Sequence, residues 1–262
     1  MASELRIEPI PAFEDNYIWL LTREGHDGCT VVDPGDDDPV REVLNARDLR
    51  LDTILVTHKH GDHVGGIAGL KGDWPEAVVY GPTNEPIRSV ERHLRGGEIV
   101  ELEGLDLSLD VLDVPGHTEG HIAYYTPGAL FCGDTLFACG CGRVFSGTFE
   151  QLAESLRSLA ELPVDTRVYC AHEYTLDNIG FAKWVEPENP DLLVREERVR
   201  ELRQAGRPSV PSTLGEELLT NPFMRTDQPE VIAAAEHWAG RSLASPTEVF
   251  TALRTWKDKE YD

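Results

Sequence analysis

The chain has little positive charge. It carries 24 lysine and arginine residues against 47 aspartate and glutamate residues, which gives a formal net charge of -23, and only five of its residues are lysine. Such a field repels the phosphates of nucleic acids and the anionic surfaces of membranes. We therefore expect neither a nucleic-acid partner nor a membrane partner.

Cysteine and long apolar segments are also scarce. The five cysteines are an odd number, in a chain of 262 residues that does not need disulfide bonds for its core, so we predict reduced thiols. No stretch approaches the roughly 20 apolar residues of a membrane-spanning helix, and residues 1–6 lack the basic and apolar pattern of a secretory signal. We expect a cytoplasmic monomer.

The excess of acidic residues has two interpretations. The acidic side chains are spread through the whole chain instead of forming one tail. One hypothesis is that the host is adapted to high salt. The alternative, which is equally supported, is that a high net charge simply favours solubility.

The first two thirds of the chain alternate β-rich segments with turns. The predicted strands span residues 17–21, 30–33, 51–56, 105–114, 121–125, 130–132 and 168–171. Helical segments lie between them, one from Asp38 to about Arg47 and one that begins with a capping box of Thr148 and Gln151. This order of elements predicts an α/β protein in which helices cover two sheets.

The pattern changes after His172, where strand signals end and prolines punctuate a series of helical segments. The last helix is marked by Ser245 as N-cap, followed by Pro246 and Glu248 at the first and third helical positions. We therefore predict two domains, one of strands and helices over residues 1–172 and a smaller helical one over residues 173–262.

Potential metal ligands follow the predicted strands where each strand ends. His58 comes after an apolar strand, and His117, Asp134 and His172 follow later strands in the same way. Since successive strand ends meet at one edge of a sandwich, we expect these side chains to converge. Imidazoles and carboxylates bind divalent cations, and two cations a few ångströms apart can deprotonate one shared water near neutral pH. The sequence therefore predicts a two-metal hydrolytic site.

Seven side chains are the candidate ligands. They are His58, His60, Asp62, His63, His117, Asp134 and His172. A turn can present His58 and His60 to one ion, whereas Asp62 and His63 must point elsewhere, and Asp134 has two oxygens with which to bridge the ions. The predicted partition is His58, His60 and His117 on one ion and Asp62, His63 and His172 on the other. A set without thiolates accepts zinc, iron or manganese, and zinc is our first expectation.

Two further polar residues lie near these ligands. The ligand set is complete without His121, so we interpret it as a residue that orients a ligand or the nearby backbone. Asp33, before Pro34 and Gly35, can either hold a ligand histidine by a hydrogen bond or form a turn.

The segment His58-x-His60-x-Asp62-His63 resembles the signature of the metallo-β-lactamase superfamily, whose fold is an αββα sandwich. Further segments resemble the hydroxyacylglutathione hydrolases, or glyoxalase II enzymes, along nearly the whole chain. These segments are residues 15–17, 114–121, 133–137, 140–143, 171–175 and 221–225. The resemblance implies hydrolysis of S-D-lactoylglutathione to glutathione and D-lactate, in methylglyoxal detoxification, by a hydroxide that bridges two metals. Asp62 and Asp134 are then the catalytic carboxylates.

The resemblance also implies a set of substrate contacts, with the helical domain supplying part of a glutathione pocket. They are Arg143, Phe145, Tyr174, Arg254 and Lys257. Arg254 and Lys257 lie three residues apart, so one helix face can present both to an anion. Many members of the family have tyrosine where Phe145 stands, and phenylalanine cannot donate a hydrogen bond. We therefore expect a weaker affinity for glutathione.

Other activities are compatible with the same signature. A persulfide dioxygenase uses a single iron and a lactonase uses two metals, but neither explains the helical domain with its basic pair. A nuclease is disfavoured by the acidic charge, and a non-catalytic binding module by the complete set of ligands. A thioester substrate suits the site because a thiol of pKa about 8.5 leaves as the thiolate without a proton donor.

Overall fold

The computed structural model describes residues 4–261. The part of the secretory-signal prediction that concerns residues 1–3 lies outside the described residues. Of the helices within residues 4–261, none has both the length and the apolar character needed to cross a bilayer.

The chain divides into two units that are each described separately. Unit 1 is the chain up to Asp113 together with Gly120–Gly133, and unit 2 is Val114–Glu119 together with the chain from Asp134 onward. The domain boundary at residue 172 stays a prediction.

Unit 1 contains a mixed sheet and an antiparallel group of strands. Its strands are β1 (Leu5–Ala12), β2 (Asn16–Arg23), β3 (Gly28–Val32), β4 (Arg50–Leu55), β5 (Val78–Pro82), β6 (Arg92–Leu94), β7 (Ile99–Leu102), β8 (Leu107–Asp113), β9 (Ile122–Thr126) and β10 (Ala129–Gly133). The mixed sheet has the order β1-β2-β3-β4-β5-β6, and β3 to β6 run parallel in it. Strands β7 to β10 pair antiparallel in sequence order.

The helices of unit 1 cover the mixed sheet with apolar side chains. They are α1 (Asp37–Ala46), α2 (Gly61–Val64) and α3 (Ile67–Asp73), with a 3-10 turn at Glu103–Leu105. Helix α1 begins one residue before its predicted start, because Asp36 caps it by accepting a hydrogen bond from the Asp38 N–H at 3.1 Å. Its Val40 and Leu44 belong to the buried core that also contains Ile54 of β4.

Strand β1 was not predicted because it contains two prolines. Pro9 pairs with Trp19 and Pro11 with Tyr17 in the register with β2. Strand β1 is the first in the order of its sheet, and proline is tolerated at such an edge because one side of the strand needs no ladder hydrogen bonds. Strand β8 lies within the predicted strand 105–114, and its Leu109 is buried between the exposed Ser108 and Asp110.

Unit 2 is mainly helical. Its helices are α4 (Phe149–Ala160), α5 (Thr175–Val185), α6 (Pro190–Gln204), α7 (Leu214–Thr220), α8 (Pro229–Ala239) and α9 (Pro246–Trp256), with a 3-10 turn at Pro222–Met224 and a π-helical turn at Lys257–Tyr261. Its strands are β11 (Leu136–Phe137), β12 (Gly140–Cys141), β13 (Arg167–Cys170) and β14 (Ser212–Thr213). Strand β11 forms a hairpin with β12, and β13 pairs antiparallel with β14.

Two helix starts in unit 2 confirm the capping predictions. The Thr148 hydroxyl accepts from the Gln151 N–H at 3.1 Å, and the Gln151 side chain accepts from the Thr148 N–H at 2.9 Å. Ser245 accepts from the Glu248 N–H at 3.2 Å. The expectation that strands end at His172 is wrong for β14, which is too short to show a periodic pattern.

Candidate metal centre

The loop after β4 carries four of the predicted ligands of unit 1 in two pairs. His58 Nε2 lies 3.0 Å from His60 Nδ1. Helix α2 begins after His60 and carries the second pair, in which His63 Nε2 lies 3.5 Å from an Asp62 oxygen. The His58 and His63 rings are fully buried. Helix α2 therefore supplies the second pair, and its His63 ring lies beside the His58 ring, with centroids 4.1 Å apart.

The Asp33 carboxylate contacts Thr57 and His63, on either side of the first histidine pair. Its carboxylate accepts from the Thr57 N–H and the Thr57 hydroxyl, both at 2.8 Å, and one oxygen lies 3.1 Å from His63 Nδ1. A carboxylate at Nδ1 favours a proton there, which leaves the Nε2 lone pair for a metal. The left-handed backbone of Asp33, with φ of 54°, aims the carboxylate at this loop. Asp33 thus lies in a turn, in which the Gly35 N–H donates to its carbonyl at 2.9 Å, and it also contacts His63, a candidate ligand.

Two other residues contact the ligands of unit 1. His121 stacks on His58 with ring centroids 4.5 Å apart, and its Nδ1 lies 3.0 Å from the Ile122 carbonyl. Asn16 donates to Asp62 Oδ2 at 3.1 Å. The role of Asn16 was missed, although its segment was noted for the resemblance. A distance of 46 positions along the chain gives no local signal for such a contact.

In unit 2, Asp134 lies between two histidines. Its Oδ2 is 3.5 Å from His117 Nε2, and its Oδ1 is 3.4 Å from His172 Nε2. All three side chains are buried. His117 Nδ1 lies 2.8 Å from the Arg143 carbonyl, which favours a proton on that nitrogen and leaves Nε2 as the candidate ligand atom. Each carboxylate oxygen therefore faces a different histidine, which is the arrangement that a bridging ligand requires.

Phe145 and Tyr174 lie beside the ligand histidines of unit 2. The Tyr174 ring stacks on His172 with centroids 4.7 Å apart, and Phe145 meets the His117 ring edge to face at 5.2 Å. Phe145 is 66% exposed. These two predicted substrate residues thus lie against the two histidines that face Asp134, and their contact with a substrate stays a prediction.

The three basic residues predicted for the substrate differ in exposure. Arg143 is half exposed, with Nε 3.9 Å from Asp258. Arg254 is only 1% exposed, because its guanidinium donates to the Cys141 carbonyl at 3.1 Å and pairs with Asp258 at 2.9 Å. Lys257 is buried, 3.5 Å from a carboxylate oxygen of Asp177. The two aspartates were missed by sequence reasoning, and substrate contact by Arg254 stays a prediction.

The cysteines confirm the prediction of reduced thiols, since all five are free and buried. Burial is the main cause that raises the pKa of Cys139 to about 12 and that of Cys141 to about 11. These thiols stay protonated at neutral pH and do not offer thiolate ligands to a metal.

Comparison with known proteins identifies the family. The model of the metallo-beta-lactamase superfamily matches residues 13–172, and the model named hydroxyacylglutathione hydrolase C-terminus matches residues 173–260. A hydroxyacylglutathione hydrolase from Aeromonas hydrophila is 53% identical over 250 residues, which cover 95% of this chain and 97% of the relative. The chain belongs to the hydroxyacylglutathione hydrolase family.

Solved structures agree with the fold of this hydroxyacylglutathione hydrolase family member. ETHE1 from Myxococcus xanthus matches with a TM-score of 0.65 and 26% identity, over 95% of this chain and 96% of that one. TTHA1623 in a di-iron-bound form matches with a TM-score of 0.59 and 26% identity, over 82% and 99%. The predicted αββα fold with a helical C-terminal region is confirmed, and the family with its histidine and aspartate cluster indicates binding of a divalent metal.

Proposed function

We propose that this chain hydrolyses S-D-lactoylglutathione to glutathione and D-lactate and so acts in methylglyoxal detoxification. The observation that carries the proposal is the match of residues 173–260 to the hydroxyacylglutathione hydrolase C-terminus, which a general metallo-β-lactamase fold does not explain. The same match disfavours a lactonase or a persulfide dioxygenase with one iron.

The proposed cofactor is a pair of divalent ions, with zinc as the first expectation and iron or manganese as alternatives. Two ligand atoms about 2.1 Å from one tetrahedral ion lie about 3.4 Å apart. The facing donor atoms of His117 and Asp134 are 3.5 Å apart, and those of His172 and Asp134 are 3.4 Å apart. The donor set therefore fits such ions. When bound, they would lower the pKa of a shared water and stabilise negative charge on a carbonyl oxygen.

The proposed ligand sets follow the pairs seen in each unit. One ion takes His58, His60, His117 and an oxygen of Asp134, and the other takes Asp62, His63, His172 and the second oxygen of Asp134. The contacts of both rings support the assignment, since His63 Nε2 and His117 Nε2 each lie 3.5 Å from a carboxylate oxygen, and the Arg143 carbonyl at His117 Nδ1 favours a proton on that nitrogen. Asp62 and Asp134 would thus be the catalytic carboxylates.

Substrate binding is proposed for the aromatic and basic residues of unit 2. Tyr174, beside His172, can donate its hydroxyl to the peptide part of glutathione, whereas Phe145 can offer only apolar contact. Arg143 is the most exposed of the three cations and is our candidate for a glutathione carboxylate. Arg254 and Lys257, at the C-terminal end of α9, would add further positive charge for the substrate. The sulfur can leave as a thiolate, so no side chain has to protonate it.

The direct test is product analysis of the metal-loaded protein. We expect glutathione and D-lactate in equal amounts from S-D-lactoylglutathione, and loss of this activity when a chelator removes the metal. Oxygen uptake with glutathione persulfide as the substrate, without thioester hydrolysis, would establish the alternative. The cytoplasmic location and the monomeric state remain predictions.

A further inference from the structure

The hairpin β11–β12 connects two parts of the proposed metal centre. Asp134 lies two residues before β11, and Arg143, whose carbonyl orients His117, lies two residues after β12. Gly142 packs at the base of the hairpin, where a Cβ would overlap the Asp134 carbonyl and press on His117 Nδ1. A shift of the hairpin would therefore move both Asp134 and His117.

Side chains of the helical segments hold the hairpin along its length. Every residue from Phe137 to Cys141 has a backbone group bonded by one of them. The bonds are Asn221 Nδ2 to the Phe137 carbonyl at 3.3 Å, Asn178 Nδ2 to the Ala138 carbonyl at 3.1 Å, the Cys139 N–H to Glu217 Oε2 at 2.7 Å, Asn221 Nδ2 to the Gly140 carbonyl at 2.9 Å, and Arg254 to the Cys141 carbonyl at 3.1 Å. The hairpin tip is thus fixed by five hydrogen bonds from outside the hairpin.

Glu217 is at the centre of these contacts. Its side chain is fully buried and accepts from Cys139, from Asn221 at 3.1 Å and from Arg195 at 2.6 Å. Arg195 is buried as well and also donates to the Thr220 hydroxyl at 2.6 Å. A buried ion pair often stabilises a fold no more than apolar side chains of equal volume would. The Glu217–Arg195 pair is therefore better explained by its contact with the hairpin tip than by a contribution to stability.

The hairpin tip also contains an unfavourable backbone conformation that its hydrogen bonds can stabilise. Cys139 has a left-handed φ of 60°, which is unfavourable for a residue other than glycine. The Glu217 carboxylate accepts from the N–H of this residue and stabilises the conformation. At the next position, a Cβ on Gly140 would overlap the Asn178 amide, so the tip and the helix are in close contact.

We propose that Glu217 is a positioning residue for the metal centre, which sets the place of Asp134 and His117 through the hairpin β11–β12. The effect on catalysis rests on the proposed function, but the effect on metal retention does not. The helical segments then have a role in metal binding in addition to any role in substrate binding.

The test compares two variants that each remove the charge of a buried, arginine-paired glutamate. Glu217→Gln leaves one acceptor oxygen for the three donors that Glu217 satisfies. Glu186→Gln is the matched control, because Glu186 pairs with Arg225 through two bonds of 2.9 Å and bonds no hairpin residue. The zinc-loaded proteins are dialysed against increasing EDTA, and metal content, melting temperature, kcat and KM are measured.

We expect Glu217→Gln to lose half of its zinc at an EDTA concentration about 10-fold or more below that of the wild type, as for other residues that orient metal ligands. Its kcat should fall with its metal content, and KM should change as well because Arg143 follows β12, so zinc retention is the deciding readout. Glu186→Gln should retain zinc like the wild type even if its melting temperature falls equally. Equal zinc loss in both variants, or wild-type retention in Glu217→Gln, would overturn the proposal.

Asn178→Ala is a second variant in case Glu217→Gln does not fold. It removes the bond to the Ala138 carbonyl and should weaken zinc retention in the same direction by a smaller factor. Unchanged retention in this variant would also overturn the proposal. If the wild type binds zinc but does not hydrolyse S-D-lactoylglutathione, the proposed function fails while the zinc-retention comparison still decides the role of Glu217.

Discussion

Asp134 is the residue on which the proposed chemistry depends most. Its two oxygens face two histidines at 3.4 and 3.5 Å. Replacing Asp134 by alanine should abolish turnover and lower the metal content, because both ions lose a shared ligand. The measurements are product release and metal per chain, with Asp110→Ala on the exposed face of β8 as the control. A fully metallated, active Asp134→Ala protein would refute the bridging role.

Phe145 offers a gain-of-function test. It is largely exposed beside the His117 ring, so a hydroxyl added to it would be accessible to a ligand. One additional hydrogen bond is worth about 0.5–1.5 kcal/mol, so Phe145→Tyr should lower KM for S-D-lactoylglutathione roughly two- to ten-fold. Phe145→Leu is the control that adds no hydroxyl. A KM for the tyrosine variant equal to that of the leucine variant would count against glutathione binding at this position.

Arg254 should contribute to stability as well as to any substrate binding. Its removal leaves the Cys141 carbonyl and the Asp258 carboxylate without their buried donor. Asp258 is exposed, so the main cost comes from the buried Cys141 carbonyl, and a buried acceptor without its donor costs roughly 1–3 kcal/mol of unfolding free energy. Arg254→Ala should therefore unfold at lower urea than the exposed-site variant Arg143→Ala, in which only KM should rise. Equal unfolding midpoints for the two variants would contradict the structural role of Arg254.

At the scale of elements, the chain shows which local signals are informative. The capping residues of α4 and α9 and the alternation of β8 predicted those elements, because caps and burial patterns act over a few residues. Strand β1 was missed because its prolines are tolerated only at a sheet edge, which is a tertiary property. The hairpin β11–β12 was missed because strands of two residues have no periodicity.

In the candidate site, too, local sequence signals were informative and tertiary contacts were not predictable. The histidine and aspartate spacing predicted all seven candidate ligands, since their order follows strand ends and one short helix. The contacts that orient them were not predictable, as with Asn16 on Asp62 and the Arg143 carbonyl on His117, because each joins residues far apart in the chain. His121 and Asp33 were the two residues predicted to orient the ligands or the loop, and the contact of Asp33 with His63 depends on the fold.

The buried cysteines of unit 2 give a prediction for the hairpin and its neighbours. Burial raises the pKa of Cys139 and Cys170 to about 12 and that of Cys141 to about 11, so each thiol stays protonated up to strongly alkaline pH. A thiol reagent at pH 8 should react negligibly with the native protein and with all five thiols after unfolding in guanidinium. Rapid reaction of the native protein at Cys139 or Cys141, identified by mass spectrometry of the labelled peptides, would show that the hairpin opens.

At the scale of the whole molecule, the net charge of -23 makes salt a useful variable. Self-repulsion among the acidic side chains destabilises the folded state, and salt screens it. The hypothesis of salt adaptation predicts that molar potassium chloride raises the melting temperature markedly. Charge reversal of several exposed acidic residues should reduce that rise. A melting temperature that molar salt does not raise would favour the interpretation that the charge serves solubility.

In the proposed function, two divalent ions held by seven side chains support hydrolysis of a glutathione thioester. The most direct test is to titrate metal-free protein with zinc while measuring bound metal and hydrolysis of S-D-lactoylglutathione in the same samples. Activity should rise with bound zinc and reach its plateau at two ions per chain. A plateau at one ion, or two bound ions without hydrolysis, would contradict the proposed function.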